Sequence, residues 1–589
     1  MYVEKKQHPR PQFIRENWKS LNGQWDFQFD DQNIGLTERW TEGLVDSQRI
    51  IVPFTYETKA SNIHDQTHHS VVWYQKNFKA DYEKQLFTLY FEGVDYETSV
   101  WINGNLVGSH RGAYERFSFD IADFVVEGEN IVVLRAEDSM ACEQPRGKQR
   151  WQKDNFGCWY VQNTGIWKSV WLEERTSSLS LEMVKITPDL DNEQVIFQPR
   201  IETPMGYIGS VIFEAEVSFE GESINSVRGS LNQVMQTFCV GTRVKEDPCW
   251  GTKVWWPNNP NLYDVVFRLY DDKNQLLDEV VSYFGMRKIH IQDGKVLLNN
   301  MTLYQRLILD QGYWEESSIT PPSVEAMELD LIRIRELGYN GLRKHQKQED
   351  ERFLYLCDKF GMLVWSEMPS TYAYNDVAVE NFIPEWQAIV KQNYNHPSII
   401  TWVPFNESWG IKDIAHNKEQ QAFTESVYYM TKAYDPGRPV ITNDGWVHTI
   451  SDILTLHDYE EYGELLAKRY VDKDAIVENK VQFNNKVYAY ADGFKYAGQP
   501  VIISEFGGIA FSTTKEDEWG YGNQVKTDEE FMNRFDRIHQ AIQDIPYVVG
   551  YCYTQLTDVE QEVNGLLDIN RKAKLDIDSI AAINKRRLN

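Results

Sequence analysis

The spacing of apolar positions changes character along the chain. Up to about residue 178 the apolar runs are short and separated by turn residues. Residues 86–92, 98–102, 130–135 and 169–172 read as strands, and Asn103-Gly104 is a hairpin turn signal. No long helical period interrupts them, which predicts a β-sandwich over residues 1–178. Residues 179–288 continue in short strands, at 210–217, 265–269 and 279–284, with a Pro/Asn-rich turn at 254–261. That span suits a small immunoglobulin-like sandwich.

From residue 289 to 589 strands alternate with amphipathic helices, the mark of parallel β/α construction. Val324, Met327, Leu331, Ile334 and Leu337 keep one helical stripe after Pro321-Pro322. Phe353, Leu356, Cys357 and Phe360 keep another before Gly361. Eight candidate strands end near Leu309, Leu342, Ser366, Pro404, Asn443, Leu456, Ser504 and Tyr553. Eight closes a (β/α)8 barrel, whose chemistry sits at the C-terminal strand ends. Polar residues cluster there: Asp310, Arg343, Glu367, Asn406 with Glu407, Asp444, His457 with Asp458, Glu505, and Gln555 with Asp558. Helix caps account for a few of these, but not for an arginine and three glutamates together.

Composition adds less. At 589 residues the chain needs several cores. Aromatics make up 13%, which fills sandwich cores and also suits stacking on sugar rings. The net charge of -28 argues against nucleic acid or an anionic membrane as partner. No run reaches a membrane span, and the N-terminal residues hold no apolar signal region, so a cytoplasmic location is expected. The six cysteines (Cys142, Cys158, Cys239, Cys249, Cys357, Cys552) form no CxxC pair, so no structural zinc is expected. Cys357 and Cys552 suit buried free thiols in barrel elements.

Two strand-end carboxylates suggest a reaction. Glu407 follows Asn-His-Pro-Ser-Ile-Ile-Thr-Trp-Val-Pro-Phe-Asn, and Glu505 follows Gln-Pro-Val-Ile-Ile-Ser. Facing each other, one as proton donor and one as nucleophile, they could cleave a glycosidic bond. The donor, Glu407, needs a raised pKa, for which Trp402, Phe405 and Trp409 are candidate walls. The nucleophile, Glu505, must stay ionised, and Arg343 and Tyr459 are candidate partners. Asn406 could hold a sugar 2-hydroxyl. Read locally, Glu407 could equally cap the following helix, and Glu505 could open a loop at Gly507-Gly508. His457 and Asp458 lack a third ligand at a diagnostic spacing, so substrate hydrogen bonding is preferred to metal. Lys344 and Lys347 usually signal a solvated loop, but could meet an anionic sugar.

The Asn-His-Pro-Ser-Ile run ending in Asn406-Glu407, and Ser-Glu-Phe-Gly at Glu505, resemble the two signatures of glycoside hydrolase family two, the β-galactosidase/β-glucuronidase family. Leu21-Asn22-Gly23-Gln24-Trp25, Val52-Pro53-Phe54, Trp101-Ile102-Asn103-Gly104 and residues 165–172 resemble its N-terminal sugar-binding sandwich, a jelly roll. Phe284-Gly285-Met286-Arg287 resembles its entry into the barrel. The resemblance implies a retaining enzyme with Glu407 as acid/base, Glu505 as nucleophile, Asn406 on the 2-hydroxyl and Arg343 beside the nucleophile. Retention requires carboxyls roughly 5 to 5.5 Å apart. Asp310, Glu367, His457, Tyr459, Gln555 and Asp558 are further candidate substrate contacts.

The chain departs from the family where the sugar is chosen. Only Asp310 remains of an Arg-His-Glu-Asp motif, Lys344 to Lys347 replace a Ser-His-Tyr-Pro motif, and Thr554 stands for a Trp. Glucuronidases grip the uronic carboxylate with Asn-x-Lys; here Glu562-Val563-Asn564 falls at that place. A neutral sugar, foremost a β-galactoside, is therefore expected for an exo-acting hydrolase. A β-uronidase is the alternative, and a catalytically weak carbohydrate-binding protein is the reading from another class. No cofactor and no metal cage are expected, and a homo-oligomer is possible by analogy.

Overall fold

The computed structural model describes residues 5–80, 86–203, 210–231, 236–245, 251–483, 486–511 and 518–586. The first sandwich packs a four-stranded sheet (Trp18–Ser20, Val170–Arg175, Leu86–Phe91, Phe117–Asp120) on a six-stranded one that includes Val71–Ala80 and Gly128–Glu137. Their inner faces form one core around Phe27, Tyr74, Leu89 and Leu134. Asn103 and Gly104 turn the hairpin between Glu97–Ile102 and Asn105–Arg111 with φ of 51° and 80°. Both lie in the left-handed region that a two-residue hairpin demands.

The second sandwich sets three strands (Ser180–Asp189, Gln194–Glu202, Phe238–Gly241) against four (Glu222–Leu231, Val211–Phe219, Tyr263–Tyr270, Leu276–Phe284). Strict alternation along Val211–Phe219 buries Val211, Phe213, Ala215, Val217 and Phe219 on one face. Among the described residues the seven strands, split three and four, make an immunoglobulin-like arrangement. Cys249 lies outside the described residues; Cys142, Cys158, Cys239, Cys357 and Cys552 are free, and Cys357 and Cys552 are buried as expected.

The barrel strands are β1 (Gln305–Asp310), β2 (Gly341–Lys344), β3 (Leu363–Glu367), β4 (Ile399–Val403, resumed at Phe405–Asn406), β5 (Asn443–Asp444), β6 (Leu454–Asp458), β7 (Val501–Gly507) and β8 (Val548–Thr554). Seven pair in parallel in the order β4-β3-β2-β1-β8-β7-β6. Short β5 pairs with the Phe405–Asn406 piece, and the His457 N–H donates to the Gly445 carbonyl, which closes the ring. Successive residues serve two cores. Leu307, Leu309, Leu363, Trp365, Ile400 and Ile502 fill the interior, while Ile308, Val364, Ile399 and Ile503 pack outward against the helices. This two-residue alternation is what a filled barrel with an outer helical ring requires.

The helix Val324–Glu336 begins at Ser323, whose side chain accepts the Ala326 N–H. The helix Glu351–Phe360 ends at Gly361 with φ of 70°. Both follow the capping rules that the sequence invites. Among the described residues no helix is long and apolar enough to cross a membrane.

The first sandwich is bonded to the barrel. Arg116 reaches Glu92 in the sandwich and Glu351 in the barrel, at 2.9 and 2.6 Å. The Ala113 and Tyr114 N–H groups donate to Glu385. Gly147 lets a sandwich loop lie against the barrel: its φ is +61°, and a Cβ there would stand 2.2 Å from the Gln346 carbonyl oxygen.

Candidate active site

Arg343, at the end of β2, organises the barrel mouth. It is fully buried, and burial opposes its charge; Asp444, Glu367 and Glu505 outweigh that and hold its pKa above the usual arginine value. Nη1 donates to Glu505 Oε1 and Nη2 to Asn406 Oδ1, each at 2.5 Å. Nε lies 2.8 Å from Glu367 and 2.9 Å from Asp444.

Local backbone aims the two carboxylates. Pro404 interrupts β4, and after Asn406 the chain enters the left-handed region twice, at Glu407 (φ 49°) and Ser408 (φ 61°). Non-glycine residues there are uncommon and collect at functional sites. The turn is fixed by Glu407 N–H to the Asp444 carbonyl, and by Ser408 N–H to Asn443 Oδ1, both at 2.9 Å. On β7 the pairing register shifts between Ile503 and Phe506. Such an irregularity re-aims side chains: Ser504 donates to Asp444 at 2.6 Å while its neighbour Glu505 meets Arg343.

One oxygen of Glu407, one of Glu505 and a ring nitrogen of His457 lie within 4.8 Å of one another. His457 Nδ1 is 2.8 Å from Glu407 and 3.5 Å from Glu505, and Nε2 is 3.3 Å from Asp444. Burial disfavours the imidazolium, but Glu505, then Asp444 and Glu407, push its pKa up to about 10. A metal could use the same three ligands only by displacing that proton. Glu505 also accepts the Tyr459 hydroxyl at 2.5 Å.

The two carboxyls are drawn apart in pKa. Burial raises Glu407, and the Glu505 charge adds to it, against the His457 hydrogen bond. Burial would raise Glu505 too, but His457 and Arg343 overcome it and hold its pKa below the usual glutamate value. One poised acid beside one persistent anion is the pairing that glycosidic cleavage needs.

The candidates do not all reach this centre. Asn406, Arg343, His457, Tyr459 and both glutamates converge on it. Glu367 lies behind, bound to Arg343 and to the Gln346 amide at 2.6 Å. Gln555 accepts from Gln311 and donates to Asn564, on the rim below β8. Asp310 is bound to Lys344 at 2.6 Å, and Asp558 to Lys574 at 2.8 Å, so both serve as internal ion-pair partners. Lys347 is 2% exposed and 2.7 Å from Glu349, not on a solvated loop. Of the apolar walls expected around Glu407, Trp402 and Phe405 face outward, toward Trp386 and Phe382. Trp409 alone stands at the mouth.

Sequence reasoning missed the sandwich's contribution. Trp159 packs on Trp409 with ring centroids 5.7 Å apart, and Lys148 Nζ lies 4.9 Å from the Trp409 ring centre. The Lys148 side chain is buried, its polar neighbours being the Cys158 thiol, Glu562 and Glu505. Tyr160 donates to Glu562, which also accepts from Asn564 at 3.0 Å. Tyr521 stacks on Tyr459 at 3.4 Å. No local pattern in residues 146–162 announces this reach; it depends on how the sandwich docks. Asp444 did stand among the strand-end polar residues, but its place between Arg343 and His457 was not legible.

Known proteins agree with this architecture. Residues 18–175 match the sugar binding domain of glycosyl hydrolases family 2, residues 180–287 a further family 2 domain, and residues 289–574 the family's TIM barrel domain. A β-galactosidase of Thermoanaerobacter pseudethanolicus is 24% identical over 86% of this chain and 67% of its own length. A putative β-glucuronidase of Formosa agariphila is 25% identical over 72% of this chain, which spans only half of that protein. A β-glucuronidase of Paenibacillus borealis is 24% identical over 92% of this chain and 91% of its own. The solved β-glucuronidase of Lactobacillus rhamnosus superposes with a TM-score of 0.78 over 98% of both chains, at 19% identity. With three domain models matched in order along one chain, and the barrel and both sandwiches in place, the chain belongs to glycosyl hydrolase family 2.

Proposed function

We propose that this glycosidase is an exo-acting, retaining enzyme for terminal β-linked sugars. The carrying observation is the pair Glu407 and Glu505, with carboxyl oxygens within 4.8 Å. That separation fits a nucleophile in contact with the anomeric carbon and leaves too little room for the intervening water of inversion. In the first half-reaction Glu505 attacks the anomeric carbon as Glu407 gives its proton to the departing oxygen. In the second, Glu407 takes a proton from water, which displaces Glu505 and releases the sugar with its β configuration. His457, Arg343 and Tyr459 keep Glu505 anionic, and Asn406 is placed for the 2-hydroxyl.

A neutral sugar, foremost β-galactose, is the first reading of specificity. Glu562-Val563-Asn564 stands where a glucuronidase carries Asn-x-Lys, which leaves Asn564 at the lysine's place, and Lys344 and Lys347 are spent on Asp310 and Glu349. One observation favours a β-uronide as second reading: Lys148 brings a buried ammonium to the mouth, with no carboxylate within ion-pair distance among the described residues. A panel of nitrophenyl β-glycosides, with the first-formed anomer read by proton NMR, tests both parts. A β product and faster turnover of the galactoside are expected. An α product overturns retention, and a faster glucuronide overturns the neutral sugar.

A further inference from the structure

Asp444 ends the short strand β5, and its contacts reach each part of the candidate centre. Oδ2 lies 2.9 Å from Arg343 Nε and 3.3 Å from His457 Nε2. Oδ1 accepts the Ser504 hydroxyl at 2.6 Å, one residue before Glu505. The main-chain carbonyl accepts the Glu407 N–H at 2.9 Å. One residue is thus tied by its backbone to the proton donor, and by its side chain to the two cations that hold the nucleophile. Its exposure is 0%, so it acts through these neighbours and not on the sugar. Burial would raise its pKa, but Arg343 and His457 hold it far below the usual carboxylate value, which keeps it an anion.

The imidazole beside it meets acidic oxygens at both nitrogens. Nδ1 faces Glu407 Oε1 at 2.8 Å and Glu505 Oε2 at 3.5 Å, and Nε2 faces Asp444. A neutral imidazole has one N–H and one lone pair, and would turn that lone pair toward a carboxyl oxygen. A ring with two N–H groups suits all three partners. Glu407 can carry its acidic proton on the other oxygen and still accept Nδ1–H on Oε1. The further surroundings leave the ring to these carboxylates. Trp446 packs 5.4 Å from its centre, and Gly445 lies against it, where a Cβ would stand 2.7 Å from Nδ1. His345 and His448 are the neighbouring imidazoles, and burial lowers both below the ordinary histidine value, so neither adds a competing cation. Arg343 is the other cation, and it shares Asp444 and Glu505 with the ring.

Negative charge changes place in a double displacement. Before attack the anion is Glu505. After it, Glu505 is an ester, and Glu407 is the anion because its proton has left with the departing oxygen. The Nδ1–H of His457 stands between the two carboxyls. We propose that Asp444 is a positioning residue that keeps both His457 nitrogens protonated, so that one Nδ1–H follows the negative charge from Glu505 to Glu407. His457 itself transfers no proton, and the bonds made and broken are those of the two displacements. This role rests on the retaining mechanism proposed for the chain.

Asp444→Asn separates charge from shape. The amide oxygen can stay toward Arg343 and His457 while the amide nitrogen turns to Ser504, whose hydroxyl then accepts. Ser504→Ala does the converse: it removes one anchor of the carboxylate and leaves the charge. NMR of the whole protein with ring-labelled histidine, with His457 assigned by its loss in His457→Asn, reads the protons directly. In the wild type both ring nitrogens should be protonated near neutral pH. In Asp444→Asn the His457 pKa should fall by about 1 to 3 units, and in Ser504→Ala by much less. The same Asn variant should lose about ten- to a hundredfold in kcat with a smaller change in KM, and its acidic limb of kcat/KM should move to higher pH. A structural role alone would lower the melting temperature and leave the limb in place. A wild-type Nδ1 without its proton near neutral pH overturns the proposal with no variant needed, and so does an Asn variant whose His457 titrates as in the wild type. The two readings fail differently: no turnover of any glycoside with the NMR result intact refutes hydrolysis, and normal turnover with the NMR result reversed refutes the role of Asp444.

Discussion

His457 Nδ1 lies 2.8 Å from a Glu407 oxygen, and the pKa of the ring is pushed up to about 10, so the two form a charge-assisted pair inside the barrel mouth. The same nitrogen stands 3.5 Å from Glu505. One imidazolium therefore neutralises part of the charge of both carboxylates while Asp444 orients it from behind. Because its folded pKa is raised above the ordinary 6.5, its stabilisation is complete below that value and fades as pH rises through about 10. The alkaline limb of activity near neutrality should thus report Glu407, not His457.

His457→Asn should lower kcat/KM about ten- to a hundredfold, the equivalent of one charge-assisted hydrogen bond of roughly 1.5 to 3 kcal/mol. Its more telling effect is on pH. The imidazolium is the foremost influence holding the Glu505 pKa down. Without it the acidic limb of the kcat/KM profile should move to higher pH. A profile that keeps its acidic limb, with only a lower plateau, would mean that His457 does no more than hold substrate.

Glu505→Ala and Glu407→Ala should each reduce kcat by about two to four orders of magnitude or more while leaving the fold intact. Azide distinguishes them, because a small anion can take the place of whichever carboxylate is missing. With Glu505→Ala it should yield the α-glycosyl azide, and with Glu407→Ala the β-glycosyl azide, both identified by NMR. The same azide anomer from both variants would contradict the assigned roles.

The facing pair Glu407 and Glu505, proposed as catalytic, could be picked out because its signals are local. A buried strand, a turn and a glutamate occupy a few consecutive residues, and the two-residue alternation of β1, β3 and β7 fixes which side chains face inward. Strand ends were read within a residue or two, except that Pro404 splits β4 and β7 runs on three residues past Ser504 to Gly507. Partnership was harder to read. Asp310 and Asp558 stand at strand ends like Glu505 does, and only three-dimensional packing assigns them to Lys344 and Lys574. Lys344 and Lys347 look like a solvated cluster in sequence, yet both are buried, Lys347 between Trp167 of the sandwich and Trp314 of the barrel, each within 6 Å. Contacts between residues some 400 positions apart, such as Tyr160 with Glu562, leave no periodic trace.

Arg15 joins the two sandwiches, at 2.7 Å from Glu173 and 2.9 Å from Asp278, with a further bond to the Leu181 carbonyl at 2.5 Å. All three side chains are buried. Arg15→Ala would leave two carboxylates without their cation, and breaking such a network from one side costs about 3 to 5 kcal/mol. The first thermal transition should fall by several degrees, measured by calorimetry. Burial alone would raise the Glu173 pKa; Arg15, the strongest opposing influence, helps hold it below the usual value. The stabilisation is therefore present above the ordinary carboxylate pKa and is lost as pH falls through the depressed one. The gap between variant and wild type should narrow in acid.

Lys148 and Lys347 compete for the role of substrate cation, and their surroundings separate them. Lys347 has Glu349 at 2.7 Å and donates to the Gly312 carbonyl at 2.8 Å, so its charge is already used. Burial lowers its pKa to about 8 even against the pull of Glu349. Burial opposes the Lys148 charge as well, yet Cys158, Glu562 and Glu505 keep its pKa raised, and no carboxylate among the described residues lies within ion-pair distance. A uronic carboxylate entering the mouth would gain a charge-assisted bond from Lys148 of roughly 1.5 to 3 kcal/mol, about ten- to a hundredfold in kcat/KM. Lys148→Met should then reduce turnover of a nitrophenyl β-glucuronide by that factor and spare the β-galactoside. Lys347→Met should slow both substrates alike, through packing against Trp314. Placement of Lys148 depends on Gly147, so Gly147→Ala should mimic the Lys148 effect by pushing the loop off the Gln346 carbonyl. If Lys347→Met removes glucuronide turnover selectively while Lys148→Met does not, the anion is held from the barrel after all, and the sandwich plays no part in choosing the sugar.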